Sequence, residues 1–203
     1  MDSQRALFPG NGHDMEPREP EGFRYQAEFI ERAEETSLVS SISQLDLKPF
    51  EFHGYFGNRR VVNFGFRYNF NQRSVEQAGT IPPFLRDLLI RAAAFAGQDH
   101  DAIRQVGINE YRAGAGIGWH KDKQEFGIIA GISLGSSAVM RFRRKVGNGW
   151  QRVSWTLDPR SIYLFSGAAR SEWEHSIPPC NGLRYSITMR TLAYAYTLAP
   201  SRG

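Results

Sequence analysis

Beyond Gly97 the chain is written in short segments that alternate in polarity. QVGINEY (105–111), EFGIIAGISLG (125–135), AVMRFRR (138–144), WQRVSWTL (150–157), SIYLFSG (161–167) and RYSITMRTL (184–192) follow one another with Gly, Ser and Asn turns between them. Segments of this length, punctuated this closely, read as antiparallel strands of a β-sandwich or jelly roll. The stretch KVGNGWQ (145–151) predicts a tight hairpin.

The first half has a different texture. Phe29, Ile30, Ala33, Leu38, Ile42 and Leu45 recur at helical spacing, predicting a helix over about 28–45. IPPFLRDLLIRAAAFAG (81–97) predicts a second, with prolines in its first turn and Gly97 as its stop. Between them FEFHGYFG and RRVVNFGFRYNF alternate and read as strands. Residues 1–20 mix Pro, Gly and charge without period and are expected to be a flexible tail. The expected organisation is one mainly-β domain with flanking helices (α+β) over 21–203. In it, 21–100 supply helices and substrate-facing strands, and 101–195 form the jelly roll.

Composition narrows the class. Cys180 is the only cysteine, so neither an internal disulfide nor a cysteine-based zinc cluster can form. No apolar run is long enough for a signal peptide or a membrane span, which suits a soluble, cytoplasmic monomer. The net charge of +4 is compatible with a polyanionic partner.

The polar residues that could do chemistry share faces. On an extended GWHKD, His120 and Asp122 point one way and Trp119 and Lys121 the other. Alone, the pair is either a metal-binding couple or a solvated turn. In RYSITMR, Arg184, Ser186, Thr188 and Arg190 share one face, which is either a solvated outer face or a carboxylate-binding one. Asn109 and Tyr111 form a similar pair. His175, in SEWEHSIPP, is either a histidine at a helix end or a distant ligand. Two histidines and a carboxylate leave three positions open on Fe(II) for a chelating cosubstrate and oxygen. A guanidinium fork matches a carboxylate on such a cosubstrate.

With INEYRAGAGIGWHKD, GISLGS, SGAARSEWEHSIPP and RYSITMR in this order, the chain resembles the AlkB-type Fe(II)/2-oxoglutarate dioxygenases. The resemblance covers about 103–192. It implies a double-stranded β-helix (jelly roll) with Fe(II) held by His120, Asp122 and His175. It implies that Arg184 pairs with the distal carboxylate of 2-oxoglutarate, and that Arg190, Asn109 and Tyr111, with Ser186 on the same face, complete that pocket. The implied activity is oxidative demethylation of N-alkylated bases in nucleic acid, consuming O2 and 2-oxoglutarate and yielding formaldehyde, succinate and CO2. The alternative is a dioxygenase that hydroxylates or demethylates a protein or small molecule.

A base must leave its stack to be reached. Phe64, Phe66, Tyr68, Trp119 and His120 itself are the candidate stacking surfaces, and Arg59, Arg60, Arg67, Arg73 and the run RFRRK (141–145) the candidate phosphate contacts. DNA-repairing members of the family read Lys-Asp-Glu after the ligand aspartate, whereas this chain reads Lys123-Gln124-Glu125. Glu125 is then the acidic group expected to favour positively charged lesions, with Gln124 beside it.

Overall fold

The computed structural model describes residues 19–193 except 53, 71 and 73. Most of the expected tail, and Arg73, therefore lie outside the described residues. The chain opens with β1 (Phe23–Gln26) and α1 (Arg32–Ser43), then β2 (Lys48–Phe52), β3 (Tyr55–Asn69) and β4 (Ser74–Gln77). A 3₁₀ turn at Pro83–Leu85 leads into α2 (Arg86–Ala96). The rest is β5 (Ile103–Tyr111), β6 (Ile117–His120), β7 (Phe126–Gly135), β8 (Ala138–Val146), β9 (Gly149–Leu157), β10 (Ile162–Phe165), the short α3 (Gly167–Ser171), β11 (Glu174–Ile177) and β12 (Arg184–Leu192).

Both long helices are shorter than their apolar patterns, because the flanking residues join turns. α2 ends where the sequence says it must. Gly97 takes φ 68°, and the Gly97 and Gln98 amides donate to Ala94 and Ala93 carbonyls in a Schellman closure. The 145–151 stretch is the two-residue hairpin between β8 and β9, with Val146 paired to Gly149.

The strands form two antiparallel sheets. The large one runs β1-β10-β7-β12-β5-β3-β2, with β4 attached to the far end of β3, and the small one runs β6-β11-β8-β9. Two facing sheets of this kind make the expected jelly roll. Alternation on the large sheet is strict. Val106, Ile108, Ala130, Ile132, Leu134, Ile162, Leu164, Tyr185, Ile187 and Met189 join Leu38, Ile42, Leu85, Leu88, Ala92 and Ala93 in one core under the helices. The opposite face looks into the roll, where Phe23, Ile129, Met140, Phe142, Tyr163, Phe165, Trp173 and Ile177 form a second core between the sheets. Among the described residues no helix is long and apolar enough to cross a membrane.

Registers across β3, β5 and β12 arrange the inward face in rows: Arg59–Tyr111–Arg184, then Val61–Asn109–Ser186, then Asn63–Gly107–Thr188, then Gly65–Gln105–Arg190. Gly65 is where β3 changes partner. Before it β3 pairs with β5, and from Phe66 to Asn69 it pairs with β4. Gly65 takes φ +73°, and a Cβ there would lie 2.2 Å from the Arg104 carbonyl oxygen. A side chain is excluded both by conformation and by space. We expect Gly65→Ala to lower stability by about 1–3 kcal/mol in urea unfolding, the range for left-handed strain and overpacking. Gly79→Ala, whose Cβ would come no closer than 3.7 Å to Phe64, should leave the midpoint nearly unchanged.

Candidate active site

The short strands β6 and β11 decide where the candidate ligands meet. Their antiparallel register sets His120 directly opposite His175, and the ring centres lie 4.3 Å apart. His175 is thus a strand residue, backed by the Phe165 ring at 4.9 Å, and not a helix end. Asp122, two positions past the end of β6, turns its carboxylate to the same place, with Oδ2 3.4 Å from His175 Nε2. One ligand atom from each of the three lies within 4.8 Å of the others. That is a donor set of two imidazoles and a carboxylate, converging from two strands and a loop.

Charge in this cluster is arranged for a cation. Burial pushes the His175 imidazole down to about 3, with His120 adding to the shift and Asp122 opposing it. Burial likewise lowers His120. Both rings are neutral near pH 7, so the 3.4 Å contact joins two prospective ligands and is not an ion pair. His120 Nδ1 lies 2.8 Å from the Gly118 carbonyl, which requires its hydrogen there and leaves the Nε2 lone pair free. Burial raises the Asp122 carboxyl, but the Arg190 guanidinium, with Arg170 beyond it, outweighs burial and holds it below the usual carboxylate range. A neutral, neutral and anionic triad with open space beside it suits a divalent metal with free coordination positions.

The row residues come next. Arg190 donates from Nη2 to Asp122 Oδ1 at 3.0 Å and from Nη1 to Gln105 and Thr188 at 2.9 Å each. It therefore holds the carboxylate of the triad, and its Nε is buried without a partner among the described residues. Arg184 is fully buried, with Nε on Ser133 Oγ at 3.1 Å and its guanidinium 5.1 Å from the Tyr111 ring centre. Its two terminal nitrogens have no hydrogen-bond partner among the described residues. A buried guanidinium with two orphan donors is costly by itself and is satisfied by a carboxylate. The residues thus fit a chelating dicarboxylate beside a divalent metal. Ser186, Asn109 and Tyr111 share one open space with the triad, whereas Arg184, in the row beside Tyr111, does not itself line it.

That space is a cavity of about 500 Å³, lined by the triad, Asn109, Tyr111, Ser186, Arg190 and an outer wall that includes Phe50, Arg59, Tyr68, Phe70 and Lys123. Of the expected base-stacking residues, Tyr68 lines it. Phe64 joins the helix-side core, and Phe66 lies outside the cavity with Arg104 5.2 Å from its ring centre. Trp119 borders the cavity, but its ring is stacked by Arg141 and Arg143, at 5.2 and 4.4 Å. Gln124 and Glu125 do not line it. Gln124 is exposed, and the Glu125 carbonyl accepts the Ala193 amide.

The expected phosphate contacts divide similarly. Arg60 is paired with Glu110 at 3.1 Å and Arg67 with Glu76 at 2.6 Å, while Arg59 turns into the cavity. From the 141–145 run, Arg143 bonds Glu174 and also lies 4.4 Å from the Trp150 ring centre.

Phe50, Phe70 and Arg170 escape sequence reasoning. Phe50 and Phe70 give no signal beyond core packing. Arg170, at the end of α3, donates to four main-chain carbonyls, two in the loop that carries Asp122 (Asp122 at 3.2 Å, and Lys123) and two at the start of β7 (Phe126 at 2.8 Å and Gly127 at 3.0 Å). Lys121 ties the same loop to the Ser171 carbonyl.

The comparisons with known proteins agree with this geometry. The profile of the 2OG-Fe(II) oxygenase superfamily matches residues 24–190, and the chain belongs to that superfamily. It is an Fe(II)-, 2-oxoglutarate- and O2-dependent dioxygenase, an oxidoreductase. Within the superfamily it is of the AlkB type. It is 27% identical over 177 residues to the Arabidopsis thaliana alkylated DNA repair protein ALKBH8 homolog, covering 74% of this chain and 49% of that one. It is 29% identical over 167 residues to the Mus musculus tRNA (carboxymethyluridine(34)-5-O)-methyltransferase ALKBH8, covering 79% and 24%. The chain thus spans about half the length of the first relative and a quarter of the second. In fold it is similar to OsALKBH1 (TM-score 0.65, 16% identity, 86% of this chain and 98% of that one). It is also similar to a Pseudomonas putida prolyl-4-hydroxylase (TM-score 0.56, 14% identity, 84% and 92%).

Because Arg170 fixes the backbone on which Asp122 sits, Arg170→Ala should weaken Mn(II) binding about 10–100-fold, as loss of a ligand's supporting hydrogen bonds does. Arg170→Lys should not restore it, since one ammonium cannot span four carbonyls. An unchanged metal titration in a folded Arg170→Ala protein would mean that the loop holds Asp122 unaided.

Proposed function

We propose that this dioxygenase demethylates N-alkylated bases in nucleic acid. The observation that carries the reading is the outer wall of the cavity: Phe50, Tyr68 and Phe70, packed edge to face, put aromatic rings in the same cavity as the His120–Asp122–His175 cluster. A planar base taken out of its stack finds there a surface to lie against and a polar cluster for its alkyl group. The AlkB-type relatives, one of them called an alkylated DNA repair protein and another a tRNA methyltransferase, support a nucleic-acid substrate.

In this reading residues 21–100 supply the aromatic wall and helices, and 101–195 the catalytic roll, as one domain. His120, Asp122 and His175 hold the iron, and Arg184 receives the distal carboxylate of 2-oxoglutarate in the row with Tyr111. Iron with 2-oxoglutarate and O2 supplies the oxidation of a methyl C–H bond to C–OH. The chain's own part is placement. Arg190 and Arg170 keep Asp122 ionised and oriented, while Tyr163, Phe165 and Met140 make the apolar side of the cavity. The hydroxymethyl group on nitrogen then leaves as formaldehyde, its hydroxyl proton passing to the ring nitrogen of a neutral base or being released from a cationic one.

Incubating the loaded enzyme with single-stranded oligonucleotides, each bearing one methylated base, should give formaldehyde and a mass loss of one CH2. Asp122→Ala should give neither. Succinate without formaldehyde on every oligonucleotide would instead favour a protein or small-molecule substrate. Arg184→Lys should raise the KM for 2-oxoglutarate about 10–100-fold, because a point charge replaces a two-pronged donor worth about 1.5–3 kcal/mol. An unchanged KM would place the cosubstrate carboxylate elsewhere.

A further inference from the structure

The outer wall of the cavity carries charge of one sign. The Arg59 guanidinium carbon sits 3.8 Å from the centre of the Phe50 ring. Lys123 Nζ sits 4.7 Å from Tyr68 and 5.1 Å from Phe70. The rings touch one another edge to face, Phe50 to Phe70 at 5.8 Å and Tyr68 to Phe70 at 5.1 Å, so this is one aromatic cluster with two cations against it. Among the described residues Asp122 is the only carboxylate lining the cavity, and Arg190 already holds it at the cation site. Glu125, the acidic group the sequence offered for reading base charge, does not line the cavity.

We propose that the cavity selects its substrate by charge, admitting an aromatic group that is neutral or bears an anionic substituent and rejecting a cationic one. This rests on the reading that an alkylated base is what enters. Two effects act together. A positively charged base lying on these rings would meet Arg59 and Lys123 in a space where water is partly excluded and like charges repel strongly. It would also compete with them for the ring faces, where a cation is favoured. A carbonyl or carboxylate oxygen, by contrast, meets donors. The Arg59 guanidinium lines the cavity, and a charge-assisted bond from it to an oxygen acceptor is favoured. Near neutral pH, 1-methyladenine and 3-methylcytosine are cations, whereas 1-methylguanine and 3-methylthymine are uncharged and present carbonyl oxygens.

The test uses the iron-loaded full chain with four single-stranded oligonucleotides that differ only in the lesion, compared by kcat/KM at pH 7. The neutral lesions should exceed the cationic ones at least tenfold. Lys123→Glu should shift that ratio at least tenfold towards the cations, and Lys123→Met should fall between. Equal or faster turnover of the cationic lesions, or a ratio indifferent to Lys123→Glu, would overturn the proposal. A second arm separates it from the nucleic-acid reading: benzoate, benzamide and benzamidinium, close in shape, are titrated anaerobically into the protein loaded with Mn(II) and 2-oxoglutarate. If no oligonucleotide is turned over but benzamidinium binds at least tenfold more weakly than the other two, charge selection stands and the nucleic-acid substrate falls. Benzamidinium binding as tightly as benzoate sinks the charge selection whatever the oligonucleotides do.

Discussion

The pairing of β12 between β5 and β7 holds two incompatible demands apart. One face of these strands must be dry and apolar to seat the helices, and the other must gather arginines, a serine and a threonine around a cavity. Because successive side chains on a strand point to opposite faces, both demands are met only in one register, and a slip of one residue would exchange them. Tyr185, Ile187 and Met189 enforce it. Each is buried against the helix-side core, so moving any of them inward would expose that core and bury Arg184 and Arg190 among Leu and Ala. The position of the site is therefore stabilised by residues that take no part in it.

A second level of support acts on the loop after His120. A carboxylate as buried as Asp122 would be raised towards neutrality by its surroundings alone, and a protonated ligand binds metal poorly. The Arg190 guanidinium reverses this, and Arg170 fixes the backbone from the other side. The two arginines act differently, one through charge on the side chain and the other through hydrogen bonds to carbonyls.

Much of this is legible in the sequence, for a local reason. Strand parity depends only on neighbours two apart, so RYSITMR, INEY and GWHKD reveal which residues share a face before any fold is known. What they share it with is not local. Whether His175 closes a helix or faces a ligand is decided by the register of β11 against β6, four residues paired across more than fifty positions of chain. Arg170 leaves no trace at all, because an arginine bonding carbonyls elsewhere has neither period nor partner motif. Phe66 and Tyr68 share parity, yet only Tyr68 lines the cavity while Phe66 meets Arg104, because parity does not tell how far along a face the site extends. The charge of the wall escapes for the same reason. Arg59 and Arg60 are neighbours, and only the pairing of β3 with β5 shows that one enters the cavity while the other binds Glu110.

The change of partner at Gly65 has a consequence for how such an enzyme diversifies. Beyond that residue, among the described strands, β3 and β4 have only each other as pairing neighbours, whereas every strand bearing a member of the metal cluster or its arginines lies within a larger sheet. The ribbon can therefore vary in length, tilt or side chains without disturbing the register of β5, β12 or β11. That freedom covers Tyr68 and Phe70, whereas Arg59, paired with β5, and Lys123, next to Asp122, are tied to the frame of the site itself. Substitutions at Tyr68 or Phe70 can thus reshape the wall of the cavity while the strands that carry His120 and His175 keep their pairing.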